Sequence, residues 1–138
     1  MSLPKILAIE DSQDDIRLLR IALDNQGEEY DLEVLQDGEK ALRFIHEHRT
    51  GIRAPEPCII LLDISLPKHD GMEVLRSLSR EPALTHIQVL VLSSIAIPEK
   101  VAEIEKFGAI YRTKPMTLSE FFDLGAEIFE ICKGAILV

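Results

Sequence analysis

Five short apolar runs punctuate the chain, and each stops abruptly at polar residues. The first, Ile6-Leu7-Ala8-Ile9, ends at Glu10 and Asp11. A run of that length without alternation fits a strand buried on both faces. Ser12 is then placed to cap a helix whose apolar positions Ile16, Leu19 and Leu23 share one face. Asp14 and Asp15 fall in its first turn, where the helix dipole favours negative charge, and Asn25-Gln26-Gly27 ends it. The pattern returns four times. Residues 30–35 read as a strand, and Asp37-Gly38 opens a helix carrying Ala41, Leu42 and Ile45. Residues 47–57, with Gly51, Pro55 and Pro57, read as a long loop. Residues 58–62 form the most apolar run and end at Asp63, and a helix follows over Gly71–Arg80 with Met72, Leu75 and Leu78 on one face. Residues 89–92 end at Ser93-Ser94, residues 98–107 begin a helix at Pro98, 109–112 make a short strand, and 117–133 a final helix. Five strands alternating with five helices predict an α/β fold: a doubly wound, five-stranded parallel sheet with helices on both faces.

Composition narrows the function classes. The chain has 138 residues, a single domain's worth, and its 46% hydrophobic content supplies a core without disulfide staples. Fifteen basic against twenty-four acidic side chains give a net charge of −9, which opposes direct nucleic-acid binding. Cys58 and Cys132 lie apart in apolar stretches with no metal-ligand spacing, and they read as separate buried thiols in a reducing compartment. The longest apolar run, Cys58-Ile59-Ile60-Leu61-Leu62, is too short to cross a bilayer, and no signal-peptide pattern precedes the first strand. A cytoplasmic protein with no membrane insertion is expected.

In a doubly wound sheet, ligands bind at the carboxyl ends of the strands. Strand one ends at Glu10-Asp11, strand three at Asp63, strand four at Ser93 and strand five just before Lys114. Three clustered carboxylates repel one another, so one takes up a proton at neutral pH unless a counter-charge is present. A hard divalent cation supplies that charge, and an all-oxygen donor set points to Mg2+. The metal would neutralise an incoming phosphoryl group, with Lys114 and Ser93 on other oxygens. Asp63, at the end of the most buried strand, is the candidate nucleophile for an aspartyl-phosphate.

These residues resemble the receiver domain of two-component response regulators. Ile6-Leu7-Ala8-Ile9-Glu10-Asp11-Ser12 is similar to the family's first strand and acidic pair. Leu61-Leu62-Asp63-Ile64-Ser65-Leu66-Pro67 with Asp70-Gly71 is similar to its acceptor loop, and Tyr111-Arg112-Thr113-Lys114-Pro115 to its fifth strand. The resemblance spans essentially the whole chain and implies a flavodoxin-like strand order 2-1-3-4-5. It implies that Asp63 is phosphorylated by a histidine kinase or phosphotransfer protein. It further implies that Asp11, Asp63 and the Ser65 backbone carbonyl ligate Mg2+, with Glu10 acting mainly through a metal-bound water. Ser93 and Lys114 would contact the phosphoryl oxygens, and Ser93 and Tyr111 would move as switch residues. The chain departs from the common pattern in having Glu10 for Asp and Ser93 for Thr. It also departs in a segment from Gly108 to Lys114 that is one residue short, which bears on the geometry of Tyr111. The long 47–57 loop and Glu10-Asp11-Ser12 are similar to stand-alone receivers that serve phytochrome-type kinases.

Other readings accompany this one. A phosphatase of the haloacid dehalogenase type wants a second acid two residues after the nucleophile, where Ser65 stands, and a pseudo-receiver would have lost the acids or the lysine. The length of the chain is nearly filled by the five strand–helix units, so no output domain is expected, the protein is not read as an enzyme, and its output would be binding to a protein partner. His46, His48, His69 and His86 read as surface residues. Phe121, Ile128 and Cys132 are expected in the core. Phe122 and Phe129, with the tail Ala135-Ile136-Leu137-Val138, suggest a surface for a partner or homodimer, core packing being the plain alternative.

Overall fold

The computed structural model describes residues 3–51, 56–66 and 70–137, the last three as backbone only. Pro55, Pro67, His69, Val138 and the side chains of Ala135, Ile136 and Leu137, to which the sequence reading assigned roles, lie outside that description. The elements run β1 (Lys5–Ile9), α1 (Gln13–Asp24), β2 (Asp31–Leu35), α2 (Gly38–Arg49), β3 (Ile59–Asp63), α3 (Gly71–Arg80), β4 (Gln88–Ser93), α4 (Pro98–Lys106), β5 (Ile110–Thr113) and α5 (Leu118–Leu137). All pairings are parallel and the sheet order is β2-β1-β3-β4-β5, as expected. Boundaries move by a residue or a few: β3 takes in Asp63, β4 takes in Ser93, and α2 continues three residues into the expected loop.

Alternation along each strand divides the core in two. Leu7, Ile9, Ile60, Leu62 and Val91 face α2, α3 and α4 with Phe44, Leu75 and Ile104. Ile6, Ala8, Ile59, Leu61 and Leu90 face α1 and α5 with Leu19, Leu23 and Ile128. Caps fix where the helices start. Ser12 Oγ accepts from the Asp15 amide, Asp37 from Lys40, and Asp70 from Met72, each satisfying a donor the first turn leaves free. Gly125 lets α5 approach α1, because a Cβ there would lie 2.9 Å from the Ala22 carbonyl oxygen.

Three expectations fail. Cys58 and Cys132 are joined in a disulfide, Cα to Cα 5.1 Å, between the residue before β3 and α5; the described residues hold no free cysteine. Their 74-residue separation carries no local signal of the pairing, which the docking of α5 creates. Phe129 is buried against the α1 side of the sheet and meets the Tyr30 ring edge to face at 6.2 Å, so it is core and not partner surface. Phe122, by contrast, is half-buried, while Phe121, Ile128 and Cys132 are buried as expected. His48 is also buried, on the Phe44 ring and bonded through Nδ1 to the Phe44 carbonyl, while His46 and His86 are exposed.

Candidate functional site

The carboxyl ends of β1, β3, β4 and β5 meet in one depression. Backbone bonds continue past the strand ends and set the register there. Glu10 N donates to Leu35 O, Ile64 N to Leu92 O at 3.1 Å, and Lys114 N to Ser93 O at 2.8 Å. Each polar residue therefore sits at a height dictated by the ladder beneath it.

Glu10, Asp11 and Asp63 each offer a carboxylate oxygen, all within 4.8 Å of one another. Glu10 and Asp63 are buried and Asp11 is exposed. Glu10 Oε2 accepts from the amides of Asp11 at 3.0 Å and Ser12 at 3.2 Å, and Asp63 Oδ1 accepts from the Ser65 amide at 3.0 Å. Lys114 reaches over from β5, its Nζ 3.1 Å from Asp63 Oδ2 and 3.2 Å from Glu10 Oε1. One ammonium does not neutralise the cluster. Burial, then hydrogen bonding and charge repulsion from Asp63, push the Glu10 carboxyl up to about 7. Burial alone would lower the Lys114 ammonium, but hydrogen bonds to Asp15 and Asp63 outweigh it and hold that group above its ordinary value.

The donor set suits a small hard cation: oxygens only, two buried carboxylates in surplus over the nearby positive charge, and one exposed carboxylate at the mouth. Glu10, Asp11 and Asp63 are the residues that could hold it.

Ser93 is buried at the end of β4, where its hydroxyl donates to Ile95 O at 2.9 Å and accepts from Ile95 N at 3.3 Å. Tyr111, opposite Val91 in the β4–β5 pairing, packs against the α4 side of the core. Its hydroxyl is buried and finds no hydrogen-bond partner among the described residues. The ring is thus turned inward despite the short segment before it.

One residue of the site escaped the sequence reading. Asp15 approaches Lys114 Nζ to 2.8 Å, nearer than Glu10 or Asp63. By sequence alone it reads as an acid complementing the helix dipole. The missed signal is its spacing: four residues before the buried Leu19, it lies on the inward side of α1.

A family model for the response regulator receiver domain matches residues 6–124. Response regulator Rcp1 of Synechocystis sp. is 36% identical over 127 residues, covering 90% of this chain and 86% of that protein. The polar-differentiation response regulator DivK of Brucella anthropi is 29% identical, covering 88% of this chain and 93% of its own. Among solved structures, the phosphorylated cyanobacterial phytochrome response regulator RcpA superposes with a TM-score of 0.83 at 33% identity, covering 94% and 93% of the two chains. The Mn(2+)-bound form of Rcp1 gives 0.79 at 33% identity, covering 91% of each.

Proposed function

The chain belongs to the response regulator receiver domain family, and from that premise we propose that it accepts a phosphoryl group on Asp63 in a Mg2+-dependent reaction. The observation that carries the proposal is the contact of Lys114 with Asp63 inside the cluster formed with Glu10 and Asp11. The donor is a phosphohistidine of a sensor kinase or phosphotransfer protein, of the phytochrome type suggested by the relatives' names. An Asp63 carboxylate oxygen bonds to phosphorus as the phosphorus–nitrogen bond breaks, and the departing imidazole keeps the electron pair.

Asp11, Asp63 and the Ser65 carbonyl would hold Mg2+, with Glu10 acting mainly through a metal-bound water, and the ion would supply charge neutralisation for the phosphoryl oxygens. Lys114 pairs with one of those oxygens and the Ser93 hydroxyl with another, leaving its present bonds to Ile95. Phosphorylation adds about −1.5 to −2 charges by analogy with other phosphorylated side chains. Movement of Ser93 toward that charge draws the exposed Ile95 and Ile97 with it, and a partner protein that prefers the new arrangement reads the signal. Tyr111 is the second switch residue. Its inward hydroxyl, buried without a partner among the described residues, costs about 1–3 kcal/mol and so stands ready to exchange positions as the neighbouring loop moves.

Incubation with Mg2+ and acetyl phosphate, followed by intact-mass measurement, tests the reading. Wild type gains one acid-labile phosphoryl group and Asp63→Asn gains none. A wild-type protein that binds Mg2+ yet stays unmodified would instead be a pseudo-receiver.

A further inference from the structure

Resting on the reading of Asp63 as acceptor and Lys114 as its partner, we infer that Asp15 is a positioning residue that keeps the Lys114 ammonium paired beside the acceptor when the metal-binding acids turn to a cation. Among the described residues Lys114 has three anionic neighbours, and they are not equivalent. Asp63 and Glu10, at 3.1 and 3.2 Å, belong to the carboxylate cluster suited to a cation. Asp15, at 2.8 Å, stands outside that cluster. Its side chain is also the most exposed of the three, 29% against 10% for Glu10 and 5% for Asp63.

The position of Asp15 is fixed from below. Its amide donates to Ser12 Oγ in the α1 cap, so the carboxylate is carried on a rigid first turn and not on a loop. Its neighbour Asp14 points the other way, toward Arg17 on the surface, 3.7 Å away, with 87% of its side chain exposed. Two adjacent acids thus divide between solvent and site.

Lys114 and a divalent cation compete for the same carboxylates. When Glu10 and Asp63 turn their oxygens to a cation, the ammonium gives up two of its three partners, and an unpaired, part-buried charge is costly. Asp15 keeps the third. Glu10, Asp15, Asp63 and Lys114 all border one small cavity of about 20 Å³. The lysine then remains beside the acceptor, paired and oriented, until phosphoryl oxygens arrive.

The test is calorimetric titration with Mg2+ of unphosphorylated wild type, Asp15→Asn, Asp14→Asn, Lys114→Gln and the Asp15→Asn/Lys114→Gln double variant. Asp15→Asn is expected to weaken Mg2+ binding about tenfold, the low end for a residue supporting a metal site from outside. Asp14→Asn, which removes the same charge one residue away, is expected to change it far less. In the Lys114→Gln background the Asp15 effect is expected to shrink to that of Asp14→Asn. Equal effects of Asp14→Asn and Asp15→Asn, or an undiminished Asp15 effect without the lysine, would overturn the inference. Asp15→Ser serves in the same scheme if Asp15→Asn does not fold. Because Mg2+ binding is read without a phosphodonor, absent phosphorylation of wild type would defeat the acceptor reading separately.

Discussion

Gly71 packs directly on the backbone of Ile64, so closely that a Cβ at Gly71 would overlap the Ile64 carbonyl. The first residue of α3 thereby braces the chain just after Asp63, where the Ser65 amide holds the carboxylate proposed as acceptor. Backbone cannot yield as a side-chain tip can. Gly71→Ala is expected to cost about 1–3 kcal/mol in urea unfolding and to slow phosphorylation of Asp63 by acetyl phosphate. Unchanged unfolding would show that the brace carries no load.

The pH dependence follows from Glu10, whose carboxyl is raised from 4.5 to about 7 by burial and by Asp63. Between those values the folded protein holds a proton that the unfolded chain has lost. The stability this contributes is complete below 4.5 and disappears as pH rises through about 7. Without metal, wild type should therefore lose stability relative to Glu10→Gln between pH 5 and pH 8. Urea midpoints of the two proteins measured across that range give the answer, and a constant difference would place the Glu10 carboxyl at its ordinary value. Mg2+ binding near neutrality should also release protons in wild type, more than in Glu10→Gln, measurable by calorimetry in buffers of different ionisation enthalpy.

Phe129 sets packing against association. Buried and in ring contact with Tyr30, it should cost about 3–5 kcal/mol when cut to alanine. Sedimentation of folded Phe129→Ala should match wild type at equal concentration. A change in association without loss of stability would return this residue to the surface role first expected of it.

The Cys58–Cys132 bond closes a long loop, and on the chain-entropy account a closure spanning 74 residues is worth about 4 kcal/mol. Reduction, or the Cys58→Ser/Cys132→Ser pair, should lower the unfolding free energy by about 2–4 kcal/mol. Equal denaturant midpoints with and without reductant would show that no such link forms.

The chain's pattern made the sheet and most of the site legible for one reason. In a parallel sheet the strands are buried on both faces, so charge is confined to their ends, and Glu10, Asp63, Ser93 and Lys114 mark those ends in the sequence. What escaped depends on helix rotation and on docking between distant elements. Asp15 and Asp14 differ only in which way α1 turns them. His48 continues the Ala41, Ile45 stripe of α2, a spacing that outweighs the polarity of its ring. Phe129 was read one residue off the stripe of Phe121 and Ile128, because a helix pressed by both the sheet and α1 buries a wider arc than one packed on a single face. The disulfide exists only once α5 lies beside the start of β3.

That bond also partitions the working residues between two kinds of chain. Asp63, Ser93 and Lys114 all lie within the covalent ring from Cys58 to Cys132, whereas Glu10, Asp11 and Asp15 sit on an open N-terminal arm. The proposed acceptor and its proposed phosphoryl contacts stay tethered to one another even when the arm peels from the sheet, but two of the three clustered acids depart with it. On the proposed reading, a fluctuation that opens β1 and α1 would leave Asp63 and Lys114 on one closed loop and break up the cation site, so Mg2+ should protect the arm against amide exchange more than it protects the ring.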